Sequence, residues 1–448
     1  MHTRSDDADR QRDAGSVPSP AVRHVSLNLN VRGMGPSATL AVKALCRARV
    51  DRGERVFDFG LGQSPFPVPA PVVEALRLAA KEKDYLPVEG LPLLREAVAA
   101  FHRREDGMEA RPDGVLVGPG SKELMFLLQI AYYGEIILRS PCWVSYLPQA
   151  QIVGRRNTLI PTQFDAGWKI TPALLEETLT AANDHGRPRL LILNYPANPT
   201  GHTYTAEDLQ GLAEVARKFE LILLSDEIYA QTHFTDEHVS IARYYPERTI
   251  VSSGLSKWCG AGGWRLGTFC FPPELDWLRA AMAAVASETY TSVCAPIQYA
   301  AVQAFRGGAE IEHYLSRTRR ILASLSAQCV DRIRAGGIRV HPSTGAFYLF
   351  PDFTPLAPRL AARGIHDSTT LCQRLLEATG VAILPGAAFG RPAEELTARL
   401  SYVDFDGAAA IEASARPEAD IDAVVQRHCH RVLEGVDRLT DWASADRA

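Results

Sequence analysis

No two of the eight cysteines, Cys46, Cys142, Cys259, Cys270, Cys294, Cys329, Cys372 and Cys429, stand in a C-x-x-C spacing. The chain therefore offers neither a zinc-ribbon pattern nor a disulfide framework, and a reducing cytoplasm is the compartment expected. An excess of basic charge is also missing. Lys and Arg number 48 against 52 Asp and Glu, a formal charge of −4, and both signs are mixed along the sequence, which argues against nucleic acid as a partner. No apolar run approaches the roughly 18 residues that span a bilayer, so no membrane partner is expected. Residues 1–23 are polar, with Asp6, Asp7, Asp9 and Asp13 set among Arg4, Arg10 and Arg12, and hold no signal-peptide core. A disordered tail is expected over 1–30. Neither a Walker loop nor a G-x-G-x-x-G fingerprint occurs, and no internal repeat is visible. His428, Cys429 and His430 lie in a stretch of helical spacing that splays neighbours apart, so no metal site is expected there.

What remains is an ordinary globular composition, 46% hydrophobic and 22% charged over 448 residues, enough for two domains sharing a large core. The stretch SGLSKWCGAGGWRLG, 253–267, stands out. A primary amine such as that of Lys257 forms a Schiff base with an aldehyde or ketone when burial or a neighbouring cation lowers its pKa, and Arg265 is such a neighbour. Gly260, Gly262, Gly263 and Gly267 let backbone pass close to a bound group, although a solvated glycine-rich loop would look the same.

Apolar runs ending in polar turns recur upstream. VLVGPGSKELMFLLQIAYY, 115–133, reads as a strand running through Gly118, Pro119 and Gly120 into a helix starting near Ser121. Such a helix start is an anion site, because its first N–H groups are unpaired and the dipole is positive there. RLLILNYPANPTG, 189–201, and LILLSDEIY, 221–229, repeat the strand-then-turn pattern, with Thr205 and Asp208 opening the helix between them. Alternating strands and helices predict a mainly parallel sheet whose ligands gather at the strand C-termini, where Asp226 falls. Helices are expected over 36–54 and 309–336; the Ala-rich, charged segment 406–422 is read as a loop.

These motifs together resemble the class I/II aminotransferases, the fold-type-I enzymes that use pyridoxal phosphate. The lysine block carries the match most strongly, with Gly254, Leu255, Ser256, Lys257, Gly260, Gly263, Arg265, Leu266 and Gly267 in the family's places. Gly254 departs from it, standing where the family often has a phosphate-binding serine; Ser253 and Ser256 are the substitutes. The resemblance implies that Gly120, Ser121, Lys122, Ser256 and Arg265 bind the cofactor phosphate region and that Trp143 stacks on its ring. It implies further that Asp226 pairs with the pyridine nitrogen, that Asn198 and Tyr229 hydrogen-bond the phenolic oxygen, and that Lys257 carries the Schiff base. Arg399 falls at the substrate α-carboxylate position, Gly62 lies in the loop beside the substrate, and Tyr85 would reach the phosphate of a second subunit in a homodimer.

The fold so implied is α/β, a large domain with a mainly parallel seven-stranded sheet plus a smaller α/β domain. Its expected boundaries are a tail over 1–30, an arm and part of the small domain over 31–69, the large domain over 70–310 and the small one over 311–448. The implied reaction moves an amino group between an amino acid and a 2-keto acid. The same residues would serve a lyase or a γ-replacement enzyme acting on a substrate such as S-adenosylmethionine. A cofactor-sensing transcription regulator would need a helix-turn-helix domain, for which the short tail leaves no room.

Overall fold

The structure is a computed structural model describing residues 27–184, 186–234, 238–416 and 418–445. Most of the expected tail, residues 1–26, thus lies outside the described residues. A two-residue strand, β1 (Phe57–Asp58), precedes seven that form the main sheet: β2 (Val115–Gly118), β3 (Glu135–Ser140), β4 (Asn157–Pro161), β5 (Arg189–Asn194), β6 (Ile222–Asp226), β7 (Thr249–Gly254) and β8 (Gly267–Cys270). Their spatial order is β2-β8-β7-β6-β5-β3-β4. β8 runs antiparallel between β2 and β7, and the pairs from β7 to β4 are all parallel. The expected mainly parallel, seven-stranded sheet is therefore present.

Alternation along each strand explains why this sheet is buried on both sides. Ile136, Leu138, Leu190, Ile192, Ile222 and Leu224 pack on one face with the helices Ser121–Ala131 and Asp276–Thr289. Ile137, Leu191, Leu193 and Leu223 pack on the other with Pro172–Ala181 and Ala206–Lys218. Local signals set the helix starts. Thr205 Oγ1 accepts from Asp208 N while the Asp208 side chain accepts from Thr205 N, a complete capping box.

A second group of elements closes over the C-terminal ends of the sheet strands. β1 pairs in parallel with β10 (Val381–Ala382), and β9 (Tyr348–Leu349), β11 (Leu384–Pro385) and β12 (Ala398–Ser401) form a small antiparallel sheet. The expected helices appear as Ala38–Val50 and the long Ala309–Ala335. One expectation is corrected: 406–422 is not a loop throughout. Gly407–Ala413 is helical because Asp406 caps it, accepting from Ala409 N, and a further helix begins at Ile421 behind the Asp420 cap. Cys429 is buried at the break between two helices while His430 is exposed, so these neighbours do splay apart. Among the described residues no helix is long and apolar enough to cross a membrane.

Leu224 sits fully buried at the centre of β6. Leu224→Ala should lower the unfolding free energy by about 2–5 kcal/mol, read as a lower urea midpoint with unchanged slope. A loss under about 0.5 kcal/mol, the size usual for surface sites, would mean that this face is not the packed core described.

Candidate active site

Parallel register sets the C-terminal parts of β5, β6 and β7 side by side, Asn194 opposite Asp226 and Asp226 opposite Ser252. Beyond these ends lies a cavity of about 650 Å³. Its wall brings together Gly62, Ser121, Lys122, Trp143, Asn198, Asp226, Tyr229, Ser256, Lys257 and Arg265, drawn from six separate stretches of chain. Leu40 and Lys43 of the first helix close another side.

The Lys257 side chain enters after β7, half-buried, and its Nζ donates to Gly62 O at 2.7 Å. Loss of water, then the Arg399 charge, push its amine down to about 7 against the pull of Asp226. Asp226 is 3% exposed. Its Oδ2 accepts from Tyr146 OH at 2.5 Å, whereas Oδ1 is buried with no partner. Burial raises this carboxyl to about 6, with Tyr146, the Ile228 N–H and Lys257 acting the other way. A carboxylate oxygen aimed at nothing is costly unless a guest supplies a donor.

The cationic side is built on glycine. Gly120 has φ +95° and a Cβ there would strike the Arg265 guanidinium, while a Cβ on Gly267 would strike Ser121 N. Only glycine at these places lets β8 and Arg265 approach the start of the helix Ser121–Ala131. Arg265 itself is left-handed, φ 56°, and donates to Gly262 O at 2.8 Å and Pro119 O at 3.2 Å. The Lys122 amine lies 4.9 Å from the Trp143 ring centroid and is held down by burial and by Arg265. Of the two serines offered as substitutes at Gly254, Ser256 borders the cavity; Ser253 is buried in β7 opposite Thr268.

Arg399, on β12, is 2% exposed and lies behind the wall. It donates to Asn198 Oδ1 at 3.2 Å and to Gly60 O, and its Nε is buried without a partner. Asn198 N donates to Asn194 Oδ1 at 2.7 Å, and Tyr229 OH meets Tyr348 OH at 2.7 Å. Tyr85 stands apart. It is 90% exposed and takes no part in the cavity of its own chain. Sequence reasoning missed Tyr146, Asn194, Tyr348 and Lys43. Asn194 carried a usable signal, the last position of an apolar strand run, while Tyr146 is 80 residues from the Asp226 it serves.

Residues 54–404 match the family described as aminotransferase class I and II. The aspartate/prephenate aminotransferase of Thermus thermophilus is 34% identical over 384 residues, 84% of this chain and 94% of that protein. An aspartate aminotransferase of Bacillus sp. is 31% identical, over 83% of this chain and 93% of its own. The solved aspartate aminotransferase of Thermus thermophilus with maleate superposes with a TM-score of 0.78 at 30% identity, covering 92% of this chain and 99% of that one. The chain belongs to the class I and II aminotransferases. It transfers an amino group between an amino acid and a 2-keto acid, and the lyase or γ-replacement alternative is not favoured.

The depressed Lys257 amine gives a direct test on the cofactor-free protein. Because its pKa is lowered, the reactive free base is already abundant near neutrality. Borohydride trapping of a small aldehyde on Lys257, mapped by peptide mass, should rise through pH 7 and level off by about pH 8–9. Trapping that keeps rising toward about pH 10.4, the ordinary lysine value, would show that the amine is not depressed.

Proposed function

We propose that this aminotransferase works as a homodimer with pyridoxal 5′-phosphate held in the cavity, and that its amino donor is an acidic amino acid, aspartate first. The observation that carries the cofactor reading is the unpartnered, buried Asp226 Oδ1 in the same cavity as the depressed Lys257 amine. A protonated ring nitrogen fits that oxygen, and an aldehyde fits that amine. The remaining residues fit the other parts of the molecule. Ser121, Ser256, Arg265 and the helix start capped by Gly120 suit a phosphate, with Lys122 beside them. Trp143 suits one face of a flat ring, and Asn198 and Tyr229 suit its phenolic oxygen.

When bound, this cofactor withdraws electrons from the substrate Cα and carries the amino group between substrates. The chain supplies the rest. Asp226 keeps the ring nitrogen protonated, with Tyr146 holding its second oxygen. Lys257 Nζ would hold the cofactor covalently and, as a free amine, would be placed to take the Cα proton as general base and to give a proton back. Arg399 is the residue for the α-carboxylate: its buried Nε has no partner, and its two terminal nitrogens, on Asn198 Oδ1 and Gly60 O, would have to exchange a contact for the substrate's two oxygens. Gly62 O, now paired with Lys257 Nζ, lies where it can steady that amine during the exchange.

An acidic donor is supported by the relatives' names and by two cations in the cavity wall. Lys43 and Lys122 have no ion pair among the described residues. Tyr85 of the partner subunit would complete the phosphate site, consistent with its exposure on a single chain. The eight free cysteines suit work in a reducing cytoplasm.

The reading is tested by a half-reaction. Aspartate alone should remove the visible absorbance of the loaded enzyme, and an added 2-keto acid should restore it. An enzyme whose absorbance is bleached by no donor, yet which releases a thioether from S-adenosylmethionine, would overturn the assignment. Arg399→Ala should lower kcat/KM for aspartate by about 10²- to 5 × 10³-fold, the equivalent of the roughly 3–5 kcal/mol lost when a buried charge pair is broken. Its cofactor absorbance should persist. Unchanged kcat/KM would move the carboxylate site elsewhere, with Arg265 next in line.

A further inference from the structure

Directly behind Asp226 lies a second set of buried ionisable groups that the reaction as described does not use. Glu227 follows Asp226, and its N–H continues the ladder to Ser252 O, so the two carboxylates turn to opposite sides of the strand end. Glu227 is 2% exposed. Its Oε1 accepts from Ser240 Oγ at 2.6 Å and lies within reach of Ser225 Oγ at 2.6 Å and Tyr195 OH at 3.1 Å. Its Oε2 meets His238 Nε2 at 2.7 Å.

The set extends away from the cavity. The Asp106 carboxylate comes within 4.8 Å of donor atoms of Glu227 and His238. It also pairs with His102 Nδ1 at 2.6 Å, and the Asp106 carbonyl accepts from Arg243 Nε. All four side chains, His102, Asp106, Glu227 and His238, are buried. The spacing would suit a metal ion, but Glu227 has no free direction: hydroxyls take one oxygen and an imidazole the other.

Charge states follow from these contacts. Burial opposes ionisation of Glu227, yet His238 and the hydroxyl donors hold it below the usual carboxylate range. Burial likewise opposes the imidazolium, and Glu227 and Asp106 outweigh it, holding His238 above the usual histidine range. The Glu227 charge adds to burial in raising Asp226, whose other ionisable neighbours are Tyr146 and Lys257, so what holds the Glu227 charge bears on the cofactor site.

We propose that His238 is a positioning residue for the cofactor site: its Nε2, 2.7 Å from Glu227 Oε2, offsets the carboxylate charge that stands behind Asp226, so that Asp226 carries its own charge toward the cavity. The inference rests on the reading that Asp226 holds the cofactor's ring nitrogen. His238 touches neither cofactor nor substrate and acts through Glu227 alone.

The test uses the cofactor-loaded enzyme and follows the pH midpoint of its visible absorbance, with cofactor dissociation measured by ultrafiltration. In H238Q the uncancelled charge favours the protonated form of nearby groups, so the midpoint should rise by about one unit, with looser cofactor. In E227Q, which removes the charge that raises Asp226, it should fall. In E227Q/H238Q it should stay at the E227Q value, since His238 acts through Glu227 alone. Opposite signs, with the H238Q rise lost in the double variant, mark a charge effect, since lost packing would displace both single variants alike and the double variant further. Should H238Q fail to fold, H238N takes its place in the same comparison. Midpoints that do not move, or that move the same way in both single variants, overturn the proposal while leaving the cofactor reading intact. A wild-type chain that takes up no cofactor overturns both.

Discussion

Lys257 and Asp226 attract each other across one cavity, and each is deprived of water there. The balance between these effects governs the site. Desolvation alone would leave both neutral, a useful state for the amine and a poor one for the carboxylate. The protein separates the two outcomes with neighbours. Arg399, Lys122 and Arg265 add positive charge that keeps the lysine amine low, and Tyr146 OH and the Ile228 N–H donate to the aspartate and help it ionise. The result is a base and an anion on one cavity wall, doing different work.

That balance requires side chains from distant parts of the chain to arrive with little slack, and the sheet provides it. Parallel strands deliver their C-terminal residues to one edge, so Asn194, Asp226 and the lysine turn after β7 are neighbours by register. Glycines at 120 and 267 allow the next layer to sit against that edge without side chains between. The closing wall, Leu40, Lys43 and the Leu61–Gln63 turn, comes from the first helix and from the turn after β1, far in sequence from the strands it faces.

Much of this was legible in the sequence because the chemistry restricts residue type at places marked by local pattern. An apolar run that stops at Asp226, a glycine turn that starts a helix at Ser121, and a lysine among glycines each announce position and role together. The pairings that tune the site were not legible, since they join residues with no local signature. Tyr146 reads as a helix start, and His238 as a polar loop residue; nothing nearby in sequence points to Asp226 or Glu227. The segment 406–422 was misread for a related reason. Its helix depends on one cap, Asp406, and its alanines carry no amphipathic stripe to betray it.

The short strand pair β1 and β10 has a consequence for how the molecule comes into being. Phe57 and Val381 are partners, and the 323 residues between them must be synthesised before the earlier strand has anything to pair with. At about 5–20 residues per second, that is a wait of roughly 16–65 s on the ribosome. The Leu61–Gln63 turn, only a few residues after β1, waits as well. The main sheet can fold meanwhile, since all its strands lie before residue 271. The walls are thus joined only once Val381 has been made, and from Lys257 to that point a growing chain carries the lysine with its cavity still open.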